Sequence, residues 1–128
     1  MLIFWQCVIP VITKSEFNIW NRWQTYRRFK DQEESIKKHW LLDQPKVELP
    51  CSVRLVRISP RMLDDDNLRG SALKHCRDTI ADLIIPGLPK GRADSDPRIK
   101  WEYDQRKGSM SLEITIYQDQ SQESPSNE

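Results

Sequence analysis

The chain has 128 residues, a length that suits one domain around a single core. Apolar residues make up 38% and charged residues 30%, a soluble globular composition that leans polar. Net charge is only +1, which by itself argues against a nucleic-acid partner. The distribution changes that: every Lys and Arg precedes Glu113, and the 19 acids less the four from Glu113 onward leave 15 against 20 bases. Residues 1–112 therefore carry +5, enough to attract a polyanion.

Met1–Ile12 is apolar but has no basic lead-in and no small-residue cleavage site, and it is too short to span a bilayer. It is expected to form a buried first strand ending near Pro10, with no membrane association. Thr13–Asn18 is a polar connection in which Ser15 or Asn18 can cap a helix. From about Trp20 to Leu42, Tyr26, Phe29, Ile36 and Trp40 recur at helical spacing, and Trp20 and Trp23 extend that face backwards. Arg22, Arg27, Arg28, Lys30, Lys37 and Lys38 lie between them. Aromatics interleaved with bases can stack on single strands. At this spacing the expected reading is aromatics in the core and bases on the solvated face.

After the loop Asp43–Pro50, Cys51–Ile58 alternates as a strand closed by Pro60. Arg61-Met-Leu-Asp64-Asp65-Asp66-Asn67-Leu68 then sets three carboxylates where strand gives way to helix. Leu68, Ala72, Cys76 and Ile80 fall at steps of four, with Leu83 and Ile84 continuing the stripe to a stop at Pro86-Gly87. Asp66 as N-cap, with Asp64 and Asp65 in the positive end of the helix dipole, accounts for one acid more readily than three. Like charges gathered this closely call for a cation, and a hard divalent ion is the usual one. Asn67, Ser71, Lys74 and Asp78 are expected along the side opposite the apolar stripe.

Leu88–Pro97 is an irregular connection. Ile99, Trp101 and Tyr103 then alternate with charges, and so do Met110, Leu112, Ile114 and Ile116, which predicts a β-hairpin turning at Gly108. Residues 1–117 form the domain, and the acidic, polar stretch 118–128 is expected to be disordered. The odd cysteines Cys7, Cys51 and Cys76 lie in apolar patterns and suggest buried thiols in a reducing, cytoplasmic setting, with no disulfide framework. His39 and His75 lack metal-ligand spacing. The order strand, helix, strand, helix, two strands gives an α+β domain with a mixed sheet and two main helices.

Asp64-x-Asp66-Asn67-Leu68 opening a helix after a strand, followed by a loop and Asp96-Pro-Arg-Ile99 leading into a strand, resembles the RusA family of Holliday junction resolvases. The resemblance covers roughly Val53 to Ile116. It implies a RusA-like fold and a homodimeric, Mg²⁺-dependent endodeoxyribonuclease, with Mn²⁺ as the other candidate ion. The implied role is paired symmetric nicks in four-way DNA junctions during recombination and repair. It assigns Asp64, Asp66 and Asp96 as catalytic metal ligands, with Asn67 as the matching amide. The family's lysine, three residues after the Asn, is Gly70 here. Lys74 lies about one helical turn further on, and is either a substitute catalytic residue or a surface partner of Asp78. Ser95 also separates Asp94 from Asp96, where the family tends to have adjacent acids. Arg54, Arg57 and Arg61 are expected to contact the DNA backbone or else to be solvated strand residues. A non-catalytic DNA-binding module with the same fold is the alternative.

Overall fold

A computed structural model describes residues 2–13, 22–64, 67–89 and 92–119. The elements are β1 (Ile3–Ile9), α1 (Arg22–Asp43), β2 (Cys51–Ser59), α2 (Lys74–Ile84), β3 (Ile99–Lys107) and β4 (Ser111–Gln118). A π-turn over Leu68–Ala72 leads into α2, and a 3₁₀ turn over Ala93–Ser95 precedes β3. This is an α+β fold with a mixed four-stranded sheet in the order β1-β4-β2-β3. The β2–β3 pair is parallel, and β4 is antiparallel to both β1 and β2.

The expected hairpin is therefore not formed. β2 lies between β3 and β4, so residues 108–110 cross the end of β2 and span two strand spacings, about 9.5 Å. Gly108 makes the crossing feasible. Its N–H donates to Ser59 O (3.2 Å), and a Cβ there would sit 2.8 Å from Ile58 Cγ2. Alternation in β3 and β4 reports one buried face for each strand and carries no information on which strand is the neighbour.

Both helices cover one face of the sheet. Cys51, Val53 and Leu55 of β2 meet Leu68, Leu73, Cys76 and Ile80, with Leu112, Ile114 and Ile116 beside them. Leu68, Ala72, Cys76 and Ile80 are all buried, as their spacing predicts. Steps of four drift by about 40° each on a regular helix. The π-turn, in which Leu73 N–H donates to Leu68 O (3.1 Å), takes up part of that drift and keeps Leu68 on the core. It also shifts Asn67 against Lys74 and Asp78, so these residues do not continue one regular helical row.

α1 packs Ile36 and Gln32 inward, and its Phe29 ring stacks on His75 (centroids 4.6 Å apart). Trp40 meets Trp5 edge-on (5.1 Å), and Trp5 Nε1 donates to Asp43 Oδ2 (2.7 Å). The aromatic face is not core throughout: Trp23 is 74% exposed and Tyr26 49%. Trp20, Ser15 and Asn18, with the expected N-terminal cap, lie outside the described residues. The first strand is an edge strand rather than a buried one. It buries Trp5 and Ile9 and leaves Ile3 and Val8 exposed. At the other end, β4 runs through Gln118. Asp119 is buried, with its N–H to Pro50 O and its carboxylate on Lys100, so order extends past the expected boundary at 117. The three cysteines are free, and burial pushes the Cys76 thiol up to about 12.

Candidate metal and nucleic-acid site

β2 continues its core-facing row with Arg57, which is 3% exposed. A guanidinium carried into a core must fill its donors, and Arg57 does so on backbone carbonyls. Nε donates to Thr13 O and Nη1 to Arg61 O, both at 2.6 Å. Burial lowers its pKa from the ordinary arginine value. Arg57 thus pins the chain leaving β2 and is not available to a DNA backbone. Arg54 is on the opposite, helix-free face of the sheet, paired with Asp104 (2.7 Å). Of the three strand-region arginines, only Arg61 is exposed beside the acidic run.

The lead-in to that run is held by an amide. Gln105 on β3 accepts from Leu63 N–H (2.8 Å) and donates to Leu63 O (2.6 Å), pairing with the lead-in as a strand would. The next residue, Asp64, starts the helix: its Oδ1 accepts from Asn67 N–H (3.2 Å) and its carbonyl from Leu68 N–H (3.0 Å). Asp64 thus makes a capping bond, while the cap expected at Asp66 falls on a residue that is not described. Asp65 and Asp66 lie outside the described residues. Asp64 is exposed, and its cap bond engages Oδ1.

Lys74 stands near the start of α2, with Nζ 2.8 Å from Asp78 Oδ1 and 3.2 Å from Asp94 Oδ2. It is the surface partner of Asp78 that the spacing allowed, and in addition it ties α2 to the loop before β3. Arg77 joins from the next turn. Its Nε lies 3.2 Å from Asp94 Oδ2, Nη1 donates to Tyr103 Oη (2.6 Å), and the guanidinium lies over Trp101 (4.9 Å). Trp101 Nε1 in turn donates to Asp94 O (3.1 Å). Burial draws the Lys74 pKa down, but two carboxylates outweigh it and the net direction is up. Asp78 also goes up, first through burial and then through Asp94, against the hydrogen bond from Lys74. The two directions are compatible because one ammonium faces two acids, and the acids also face each other.

Asp96 is engaged elsewhere. Its oxygens accept from Arg98 N (3.0 Å), Nε (3.1 Å) and Nη2 (3.0 Å), and the Arg98 hydrogen bonds hold its carboxyl below the usual range. Asp96 O accepts from Ile99 N–H, and Ile99 pairs with Cys51 where β2 begins. Leu63 is clamped to Gln105, which pairs with Arg57 near the end of β2. The two anchor points are six residues apart on β3, about 20 Å of strand. Asp96 is thus anchored at the opposite end of β3 from the lead-in that carries Asp64, and Asp66, the third expected ligand, lies outside the described residues. Among the described residues, no three of His, Cys, Asp and Glu are grouped to hold a metal ion. Arg77, Gln105 and the Asp94 network were not foreseen as parts of the site. Only the Lys74–Asp78 spacing signalled any of it.

No helix among the described residues is long and apolar enough to cross a membrane. Scans against family models, curated proteins and solved structures found no match to this chain.

Proposed function

We propose that the chain is a divalent-metal-dependent DNA endonuclease that nicks four-way junctions, acting as a homodimer in the reducing cytoplasm. The reading rests on the Asp64-x-Asp66-Asn67 motif. The observation that carries it is the exposed Asp64 carboxylate, held at a helix start by Gln105 through Leu63, with a single oxygen taken up by the cap. A rigid lead-in that presents hard oxygens suits Mg²⁺, which needs few protein ligands and keeps several waters. An ion of this kind supplies activated water and charge neutralisation to phosphodiester hydrolysis.

The described carboxylates do not fit as a complete ligand set, because Asp96 is engaged by Arg98 and sits at the other end of β3. No hydrolytic step is therefore routed through an ion. The chain's own residues hold Asp64 in place, and Arg61, exposed on the same lead-in, attracts the phosphate backbone. An isologous dimer suits a junction because two equivalent strands then meet two equivalent sites.

A second reading, a non-catalytic DNA-binding module, is favoured by the engagement of Asp96 with Arg98 and of Asp94 with Lys74 and Arg77. Incubation with a synthetic four-way junction and its linear duplex counterpart, in Mg²⁺ and in EDTA, separates the two. Metal-dependent nicks confined to the junction and lost in Asp66→Asn support the enzyme. Binding without nicks supports the module, and equal cutting of both substrates indicates a nuclease indifferent to junctions.

A further inference from the structure

The two edges of the sheet are unlike. β3 sets Lys100, Glu102, Asp104 and Arg106 along its helix-free face, and its far end is covered where Gln105 clamps Leu63. Charges and a covering segment are the usual guards against another strand pairing at an edge. β1, the other edge, has neither. Its sequence, Ile3-Phe-Trp-Gln-Cys-Val-Ile9, carries no charged side chain, and none occurs anywhere from Leu2 to Thr13. Its one register shift lies between Ile3 and Trp5, so Trp5–Ile9 runs regularly beside β4. Among the described residues, no backbone pairs with the outer side of that segment. The chain leaving it turns inward instead, where Thr13 O meets Arg57.

Exposed apolar side chains gather at the same edge. Leu2, Ile3, Val8 and Ile12 are exposed, Val8 by 54%. Leu41 and Leu42 are exposed at the end of α1 that Trp5 meets through Trp40 and Asp43. Beyond residues 2–12 and α1, the exposed large apolar side chains among the described residues are Met62 and Leu88 alone. Outward N–H and C=O groups beside exposed apolar side chains suit an added strand. A peptide from another protein would find backbone partners here, but β1 has no charge with which to select it. A second copy fits without selection. Antiparallel pairing of β1 with its own two-fold mate opposes like residues, which is costly for a charged strand and costs an uncharged one nothing. The α1 side chains beside the end of β1, Arg28, Asp31, Glu34 and Ser35, carry both signs and set no single-sign barrier to the approach. We propose that β1 pairs antiparallel with β1 of a second copy, joining two four-stranded sheets into one of eight strands. Because β1 and β3 are opposite edges, the acidic lead-in beside β3 stays uncovered in both copies.

The proposal rests on the homodimer of the reading above and names its contact, but it is tested without DNA or metal. The full chain in EDTA is followed by sedimentation velocity over a wide concentration range, with residue-resolved hydrogen exchange of Trp5–Ile9 alongside. The expected result is a dimer whose formation slows exchange of the outward amides in that segment. Gln6→Lys with Val8→Lys should weaken dimerisation by roughly 10-fold or more. Whichever of Gln6, Cys7 or Val8 lies on the two-fold axis, a lysine then meets a lysine. Both positions are exposed, so circular dichroism should match wild type. Val8→Thr, uncharged and β-branched, should dimerise as the wild type does. A monomer at every concentration overturns the proposal. So does a dimer that survives both lysines, or one whose Trp5–Ile9 amides exchange as in the monomer. Protection of every Trp5–Ile9 amide in the monomer overturns it as well, since the edge would then be covered within the chain. Asp64→Asn should dimerise normally, and junction nicking by a wild-type monomer would sink this contact while leaving the nuclease reading in place.

Discussion

Gln105 holds Leu63 by both backbone polar groups, and that clamp decides where the acidic run begins. A side-chain amide carries a donor and an acceptor side by side on one planar group, which matches the N–H and C=O of a single residue. Gln105→Leu should leave the Leu63 N–H and C=O without partners and lower stability by about 1–3 kcal/mol in urea denaturation. Gln105→Glu keeps the acceptor and loses the donor, and should fall between the two.

The crossing at Gly108 makes a second, independent prediction. Gly108→Ala sets a methyl 2.8 Å from Ile58 Cγ2, so the loop or the end of β2 must shift. The expected loss is about 1–3 kcal/mol. In an Ile58→Ala background the same change should cost measurably less, and a double-mutant cycle reads the difference. An unchanged melting temperature in the single variant would count against this strand order.

Lys74 gives a pH-dependent prediction. Its pKa is raised in the fold, so its contribution is complete below its unfolded value and is lost as pH rises through the folded one. Asp78, also raised, opposes stability once ionised and ceases to do so as pH falls. Removing the ammonium with Lys74→Ala leaves Asp78 and Asp94 facing each other with Arg77 alone. Because Lys74 is half-exposed, the loss at neutral pH should be no more than about 1 kcal/mol. The gap from wild type should narrow in acid as Asp78, whose pKa is raised in the fold, takes up a proton. It should close again at alkaline pH, as the wild-type lysine loses its proton. Denaturation midpoints across that range check both ends.

The limits of the sequence follow from what a local pattern encodes. Four strands, two helices and the apolar stripe from Leu68 to Ile80 were legible because each depends on its own periodicity. The insertion of β2 between β3 and β4 was not, since strand alternation is silent about neighbours. Arg57 looked like any charged strand residue. Its burial depends on the carbonyls of Thr13 and Arg61, which no pattern around residue 57 announces. Trp23 and Tyr26 share helical spacing with Phe29 and Ile36, yet that spacing could not show how far along α1 the core extends. Within the site, the acidic run at the start of the helix was legible. The exchange by which Asp94 meets Lys74 while Asp96 meets Arg98 depends on the 3₁₀ turn between them.

The cap at Asp64 separates structure from chemistry at one residue. Asp64→Ala removes both the cap and the charge, and should lower stability by about 0.5–2 kcal/mol. Asp64→Asn keeps an oxygen that can accept from the Asn67 N–H, and should melt close to wild type.

Mg²⁺-dependent nicking of a synthetic four-way junction by Asp64→Asn, set beside the wild type at matched folded concentration, is the most direct measurement. The account predicts a wild type that nicks and a folded variant that does not. A variant that nicks as well as the wild type would reduce Asp64 to a helix cap and contradict the assignment of the acidic run as the centre of the chemistry.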